Sequence, residues 1–250
     1  MTATLPDLET ATAEQVLSWG LQTFGDKLAV CTSFQDEGMA ILEMAARLHP
    51  GVRVFTIDTG RLPQQTYDLM AEVHRRYNLR VEIILPDSRE VETMATRHGP
   101  NLFYDGVPQR MLCCEIRKVR PLDRKLRTLQ AWVTGLRRSQ NDTRATVRKA
   151  DIDPAHGSIV KLNPLADWTA DQVERYLREH DVPRHALYAS GYTSIGCAPC
   201  TRAPLPGEGP RAGRWWWETD AQKECGIHFS PDGKVRRTVD ILLEEILSVR

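Results

Sequence analysis

The sequence predicts an α/β domain built on a doubly wound, mostly parallel five-stranded sheet, followed by an irregular C-terminal tail. Three observations predict it. Short apolar runs of strand length alternate with amphipathic stretches of helix length from Lys27 to about residue 184. Polar turn residues follow the strands, at Ser33, Asp58 and Gly135. Beyond residue 184 the alternation stops, and six Pro or Gly residues crowd the stretch from Ala203 to Gly213. The division this suggests is an N-terminal helical segment (1–25), an α/β domain (26–202) and a flexible tail (203–250).

The elements follow in order. Thr12-Ala13-Glu14-Gln15 fits a capping box ahead of Val16, Leu17, Leu21 and Phe24, and Gly25 ends that helix. Lys27–Thr32 reads as a buried strand, Ser33–Gly38 as a turn and Met39–Leu48 as a helix. Amide groups at such a helix start face an anion well, although the loop lacks the Gly-Lys-Ser/Thr ending of a Walker A motif. Val52–Ile57 is a second strand, ending in Asp58-Thr59-Gly60. Gln64–Tyr77 is a helix with Met70, Val73 and Tyr77 on one face. Leu79–Leu85 is a third strand, stopped by Pro86, and Ser88–His98 is helical. Glu115–Leu129 reads as a basic helix with a break at Pro121. Gln130–Thr134 and Ser158–Leu162 are the fourth and fifth strands. Thr169-Ala170-Asp171-Gln172 is a second capping box, before Val173, Tyr176 and Leu177. Thr238–Leu247 reads as a last helix. Ligands of doubly wound sheets sit beyond the carboxyl ends of strands, which places Ser33, Asp58 and Gly135 at candidate positions.

The chain has 250 residues, 41% of them apolar and 26% charged, ordinary values for a globular protein. No apolar run is long enough for a membrane span, and the N-terminus resembles no secretory leader. The expected compartment is therefore the cytoplasm, where thiols stay reduced. Net charge is zero, yet from Arg110 to Lys149 there are twelve Lys or Arg against three acids (Glu115, Asp123, Asp142). A local excess of that kind suits a compact anionic ligand, or simply solvated helix faces. No nucleic-acid motif accompanies it, so nucleic acid is not an expected partner.

Six cysteines are present, and four of them fall in two short pairs. Cys113 and Cys114 are adjacent. Cys197 and Cys200 form a CxxC after an interval of 82 residues. Two such pairs in a reducing compartment point to one site of four thiolate ligands, for Zn²⁺ or an iron–sulfur cluster. The adjacent pair favours the cluster, because successive side chains can each reach a separate iron. The competing readings are a disulfide and buried thiols. Cys31 sits in an apolar strand and reads as a core thiol. Lys118 lies four residues after Cys114, one helical turn away.

Taken together and in order, several stretches resemble the assimilatory sulfonucleotide reductases, specifically the bacterial iron–sulfur type acting on adenylyl sulfate (APS). They are Thr32-Ser33-Phe34, Asp58-Thr59-Gly60-Arg61, Cys113-Cys114 with Arg117-Lys118, and Gly135-Leu136-Arg137-Arg138-Ser139-Gln140. Leu162-Asn163-Pro164-Leu165, Cys197-Ala198-Pro199-Cys200, Arg211-Ala212-Gly213-Arg214-Trp215-Trp216-Trp217-Glu218 and Glu224-Cys225-Gly226-Ile227-His228 follow. The resemblance runs from about Lys27 to His228. It implies an adenine nucleotide alpha hydrolase-like fold and a [4Fe-4S] cluster on Cys113, Cys114, Cys197 and Cys200. It implies Cys225 as the nucleophile and Lys118 between cluster and substrate. Arg144, Arg211 and Arg214 match sulfate and phosphate contacts, Ser33 and Phe34 the anion loop, and Ile57, Asp58, Thr59 and Gly60 the adenosine site. Gly135 falls in a matching strand-end motif. The family loop often carries acids just after a small residue, whereas this chain reads Gln35-Asp36-Glu37-Gly38, so Ser33 and Phe34 are the better substrate neighbours.

The chemistry implied is attack of the Cys225 thiolate on the sulfur of APS, loss of AMP, and release of sulfite from the resulting S-sulfonate by a second thiol. No spare cysteine in this chain can supply that thiol, so external thioredoxin is the expected partner. A homo-oligomer is compatible with the sequence. Rival readings are a PAPS reductase, whose relatives usually lack the four cysteines, and an ATP-dependent adenylating or thiolating enzyme, which would want a Ser-Gly-Gly loop where Ser33-Phe34-Gln35 stands. A zinc-stabilised nucleic-acid-binding protein is the third.

Overall fold

Thr12 opens α1 (Ala13–Phe24) as a full capping box: its hydroxyl accepts the Gln15 N–H at 3.2 Å, and Gln15 Oε1 accepts the Thr12 N–H at 2.7 Å. Caps of this kind contribute about 1 kcal/mol. Gly25, at φ 49°, ends the helix as its left-handed backbone requires. The computed structural model describes residues 5–140, 144–218 and 233–248. The chain divides into two compact units. One comprises Met1–Thr56, Gln64–Ile83 and Lys125–Tyr188, the other Ile57–Pro63, Ile84–Arg124 and Ala189–Arg250.

The sheet holds six strands in the order β3-β2-β1-β4-β6-β5. They are β1 (Leu28–Cys31), β2 (Val54–Ile57), β3 (Val81–Ile84), β4 (Ala131–Val133), β5 (Ala150–Asp153) and β6 (Ile159–Leu162). β1 pairs in parallel with β2 and β4, and β4 in parallel with β6. Strand order reverses between β1 and β4, so the loops that begin at Thr32 and Thr134 open at a topological switch point.

The expected five strands are thus corrected to six. The added strand, β5, is antiparallel to β6, with Ala150 opposite Leu162 and Asp153 opposite Ile159. Its sequence, Ala-Asp-Ile-Asp, has little strand propensity. The buried Asp153 is tolerated because His156 Nδ1 lies 3.0 Å from its carboxylate and Lys161 Nζ 3.6 Å.

α2 (Asp36–Leu48) begins three residues before the expected Met39. Gln35 takes extended backbone as its N-cap, and Asp36 and Glu37 place acids in the first turn, where the helix dipole favours them. Met39, Ala40, Ile41, Leu42, Met44 and Ala45 show no exposed surface, so this helix is core on most sides. α3 (Gln64–Tyr77) and α4 (Ser88–His98) keep their expected bounds, and α7 (Ala170–Glu179) has its expected capping box.

The stretch read as one basic helix from Glu115 is three pieces. α5 (Val107–Cys114) already contains both adjacent cysteines, a π-helical turn covers Glu115–Val119, and α6 (Arg120–Leu126) follows. Pro121 has no N–H, and in an unbroken α-helix its ring would strike the Arg117 carbonyl. Widening the preceding turn, with Arg120 N–H donating to the Glu115 carbonyl, is one way the helix absorbs it.

The second unit packs Met94, Leu102, Phe103, Leu112, Ile116, Trp215 and Ile246 around Cys113 and Cys200. α8 (Gly233–Leu247) contributes Ile246 to this core and starts five residues before the expected Thr238. Among the described residues no helix is long and apolar enough to cross a membrane.

His185 supplies a pH-dependent stability. It is 1% exposed, and its Nδ1 accepts the Leu187 N–H at 3.3 Å. The ring proton therefore sits on Nε2, 2.9 Å from Thr66 Oγ1. Burial lowers its pKa below the usual 6.5. The unfolded chain then binds the extra proton first, so stability held above about pH 6.5 is lost as pH falls through the lowered value, by up to about 1.4 kcal/mol per pH unit. Denaturant titrations at about pH 7 and about pH 5 should show that His185→Gln flattens this slope. An unchanged slope in the variant would assign the effect to other groups.

Candidate functional site

Within the second unit all four paired cysteines line one pocket, together with Arg61, Arg110, Arg117 and Lys118, and with Thr59 and Phe103. α5 delivers Cys113 and Cys114 from its last turn, after an entry at Gly106 and Pro108. The CxxC closes on itself through a 3₁₀ turn, with Cys200 N–H donating to the Cys197 carbonyl at 2.9 Å. Ala198 N–H donates to the Arg61 carbonyl at 2.8 Å. Thr59 Oγ1 lies 3.2 Å from Cys197 Sγ. None of the five described cysteines is in a disulfide.

Burial pushes the Cys200 thiol up to about 12, and the nearby Cys197 and Cys113 add to the rise. Burial also raises Cys113, opposed by the Arg117, Arg61 and Lys118 charges. Four thiolates cannot gather here unless positive charge joins them. Among the described residues, no three His, Cys, Asp or Glu side chains are grouped as one metal ion would need. The donor set is all sulfur, and one pair is adjacent, which fits a cluster offering separate irons better than a single ion. Arg61, Arg117 and Lys118 bring the cationic surroundings that an anionic thiolate-bound cluster needs.

The remaining candidates of this unit lie at the end of β2 and in the stretch from Arg211 to Arg214. Asp58 is 7% exposed, and its Oδ1 accepts the Gly60 N–H at 2.8 Å. Gly60 sits at φ 69°, and the Thr59 carbonyl accepts Arg117 Nη1 at 2.8 Å. Ile57 ends β2 directly before this turn. Arg211 is half-buried. Arg214, read from sequence as a loop residue, is 7% exposed, with its guanidinium 4.6 Å from the Trp215 ring centre. Cys225 and His228 lie outside the described residues.

In the first unit the loop after β1 carries Ser33, which is exposed and accepts a hydrogen bond from Gln35 Nε2 at 3.1 Å. Phe34 has φ 58° and a fully buried ring, and its N–H donates to Thr32 Oγ1 at 3.0 Å. The residue as a whole is buried, and its backbone is held in a conformation unusual for its type. Asp36 and Glu37 are committed to arginines: Arg184 Nη2 reaches Asp36 at 2.6 Å, and Arg137 Nε and Nη2 reach Glu37 Oε1 at 2.9 and 2.8 Å. Burial raises the Asp36 pKa, against the pull of Arg184.

Gly135 permits this arrangement, since a side chain there would stand 2.9 Å from Glu37 Cβ. Gln140 Nε2 donates to the same Glu37 oxygen at 2.9 Å, and Gln140 Oε1 accepts from Arg144. Arg144 is an expected candidate, and what sequence reasoning missed is its link through Gln140 and Arg137 to Glu37. Its signal was the run Gly135 to Gln140, read only as a motif.

Residues 27–203 match the model of the phosphoadenosine phosphosulfate reductase domain. The adenosine 5'-phosphosulfate reductase of Allochromatium vinosum is 45% identical over 233 residues, covering 92% of this chain and 90% of that one. 5'-Adenylylsulfate reductase 3 of Arabidopsis thaliana chloroplasts is 42% identical over 88% of this chain, which spans 49% of that longer protein. Among solved structures, the PAPS reductase of Candida auris in its phosphate complex superimposes with a TM-score of 0.67 at 29% identity, over 80% of this chain and 98% of that one. The chain therefore belongs to the phosphoadenosine phosphosulfate reductase domain family.

Proposed function

We propose that this chain reduces adenylyl sulfate to sulfite and AMP in sulfate assimilation, through an S-sulfonate on Cys225 and with thioredoxin as the reductant. The observation that carries this reading is the convergence of Cys113, Cys114, Cys197 and Cys200 on one cavity with Arg61, Arg117 and Lys118. The likeness to adenosine 5'-phosphosulfate reductases supports the choice of substrate.

Cys113, Cys114, Cys197 and Cys200 would hold a [4Fe-4S] cluster, which when bound supplies a buried, polarisable anionic centre beside Lys118. The Cys225 thiolate attacks the sulfate sulfur of APS, the S–O bond to the AMP phosphate breaks, and AMP leaves with that bond pair. A thioredoxin thiolate then attacks Cys225 Sγ and sulfite departs. The second thioredoxin thiol resolves the mixed disulfide, so one dithiol supplies both electrons. Lys118, Arg144, Arg211 and Arg214 are the proposed contacts for sulfate and phosphate. Ser33, Phe34 and Gly135 are proposed contacts from the loops after β1 and β4, and Ile57, Asp58, Thr59 and Gly60 from the end of β2 and the loop after it. A cytoplasmic setting suits a mechanism that consumes reduced thioredoxin.

Steady-state kinetics with APS and its 3′-phosphorylated analogue PAPS test the reading. Wild-type protein should turn over APS with the larger kcat/KM. Lys118→Ala should lower kcat/KM for APS by about 1.5–3 kcal/mol, roughly ten- to hundredfold, as loss of one charged hydrogen bond does. Preferential turnover of PAPS would replace the substrate assignment, and wild-type kinetics in Lys118→Ala would remove that residue from the site.

A further inference from the structure

Arg110 is one helical turn before Cys113 on α5, and its side chain is 2% exposed. It pairs with Glu218, itself 4% exposed. The contact is a fork: Arg110 Nε to Glu218 Oε1 at 2.8 Å and Nη2 to Oε2 at 3.1 Å. The two residues are 108 positions apart in sequence. A buried pair at that separation is costly to desolvate, and its best-attested use is to fix one arrangement of the chain. Two guanidinium groups stand over the Trp215 ring, Arg110 at 4.5 Å from the ring centre and Arg214 at 4.6 Å. Its backbone sits at φ 44°, in the left-handed region that a tryptophan rarely adopts.

The same short segment grips the CxxC. Trp215 N–H donates to the Cys200 carbonyl at 3.2 Å, Arg214 bridges Thr201 in antiparallel fashion, and Glu218 N–H returns to the Trp215 carbonyl at 2.9 Å. A continuous path therefore runs from the helix of Cys113 and Cys114, through Arg110 and Glu218, to Trp215 and the carbonyl of Cys200. Severing the fork would remove the tie between that helix and the segment whose Trp215 amide pins Cys200.

We propose that Arg110 and Glu218 form a positioning clamp that holds the two cysteine pairs at the separation a cluster requires. This rests on reading the four cysteines as one ligand set. Neither residue is a cluster ligand. They act through α5 and through the Trp215 amide.

The test uses the full-length chain purified without oxygen. Iron loss to a ferrous chelator is followed by absorbance, well below the unfolding midpoint, in wild type, Arg110→Met, Glu218→Gln and the double variant. Each single variant is expected to lose iron at least about tenfold faster, on the scale of outer-shell losses at metal sites. The double variant should be no worse than either single, because the fork is already lost in each single and its two halves act as one unit. Glu218→Asp, which keeps the charge, should recover part of the loss. A role in folding alone would shift the unfolding midpoint and leave the chelator rate of folded protein unchanged, and that outcome overturns the clamp. If wild-type protein takes up no iron, the cluster reading has failed, and the clamp is judged on the metal-free chain. There, mild oxidation should form disulfides between Cys113 or Cys114 and Cys197 or Cys200 several-fold more slowly in Glu218→Gln. Equal rates would refute the clamp.

Discussion

Cys225→Ser is expected to abolish sulfite formation while leaving iron content and APS affinity within about twofold of wild type. A serine hydroxyl is not ionised near neutral pH and is a far poorer nucleophile toward sulfur than a thiolate, so the loss should be on the order of 10⁴ or more in kcat, the scale seen when nucleophiles are removed. Cys225 and Cys31 are the two cysteines outside the paired set. Cys31 ends β1, in the first unit, and Cys225 carries the flanking Glu224 and Gly226-Ile227-His228 that match the family. Coupled assays for sulfite and equilibrium binding of APS check the expectation. Sulfite production near the wild-type rate by the serine variant would remove Cys225 from the reaction.

Cys200→Ser and Cys113→Ser should each strip the protein of iron and sulfide and reduce turnover by at least about 100-fold. Outer-shell losses at metal sites cost about 10–100-fold, and a direct ligand should exceed them. Both thiols are 8% exposed, and burial raises both pKa values, so each is unsuited to be a reactive surface thiolate. Within such a cavity a thiolate is stable when metal-bound. A serine would add a poorly matched hydroxyl beside Leu112, Ile116 and Trp215. Metal analysis and the visible spectrum of anaerobic protein report the result. Full iron content in either variant would take that cysteine out of the ligand set.

Much of this architecture is legible in the residues. Two capping boxes, Thr12 with Gln15 and Thr169 with Gln172, state their helix starts in four letters each. α3 and α4 follow from periodicity, with α4 bracketed by Asp87 and Gly99. β5 escaped because Asp151 and Asp153 read as loop, and only pairing with β6 makes them strand. The π-helical turn at Glu115–Val119 escaped because Pro121 signals a break without saying how the helix absorbs it.

The candidate site divides in the same way. The cysteine pairs and the strand-end loops announce themselves by composition. The buried Phe34 ring does not, because a left-handed backbone at a bulky residue has no sequence signature. The Glu37–Arg137–Gln140–Arg144 chain and the Arg110–Glu218 fork join residues far apart in sequence, and their geometry appears only when the chain is folded. Arg214 looked like a loop cation, and its burial against Trp215 comes from packing that no local pattern encodes.

One single-turnover measurement tests the S-sulfonate on Cys225 most directly. Anaerobic wild-type protein is mixed with excess APS in the absence of thioredoxin, and released AMP is counted while the chain is weighed intact and as peptides. The prediction is one AMP per active chain and the mass of one SO₃ group on the peptide containing Cys225, removed as sulfite when reduced thioredoxin is added. Sulfite released without any protein adduct, or the adduct found on Cys31, would contradict it.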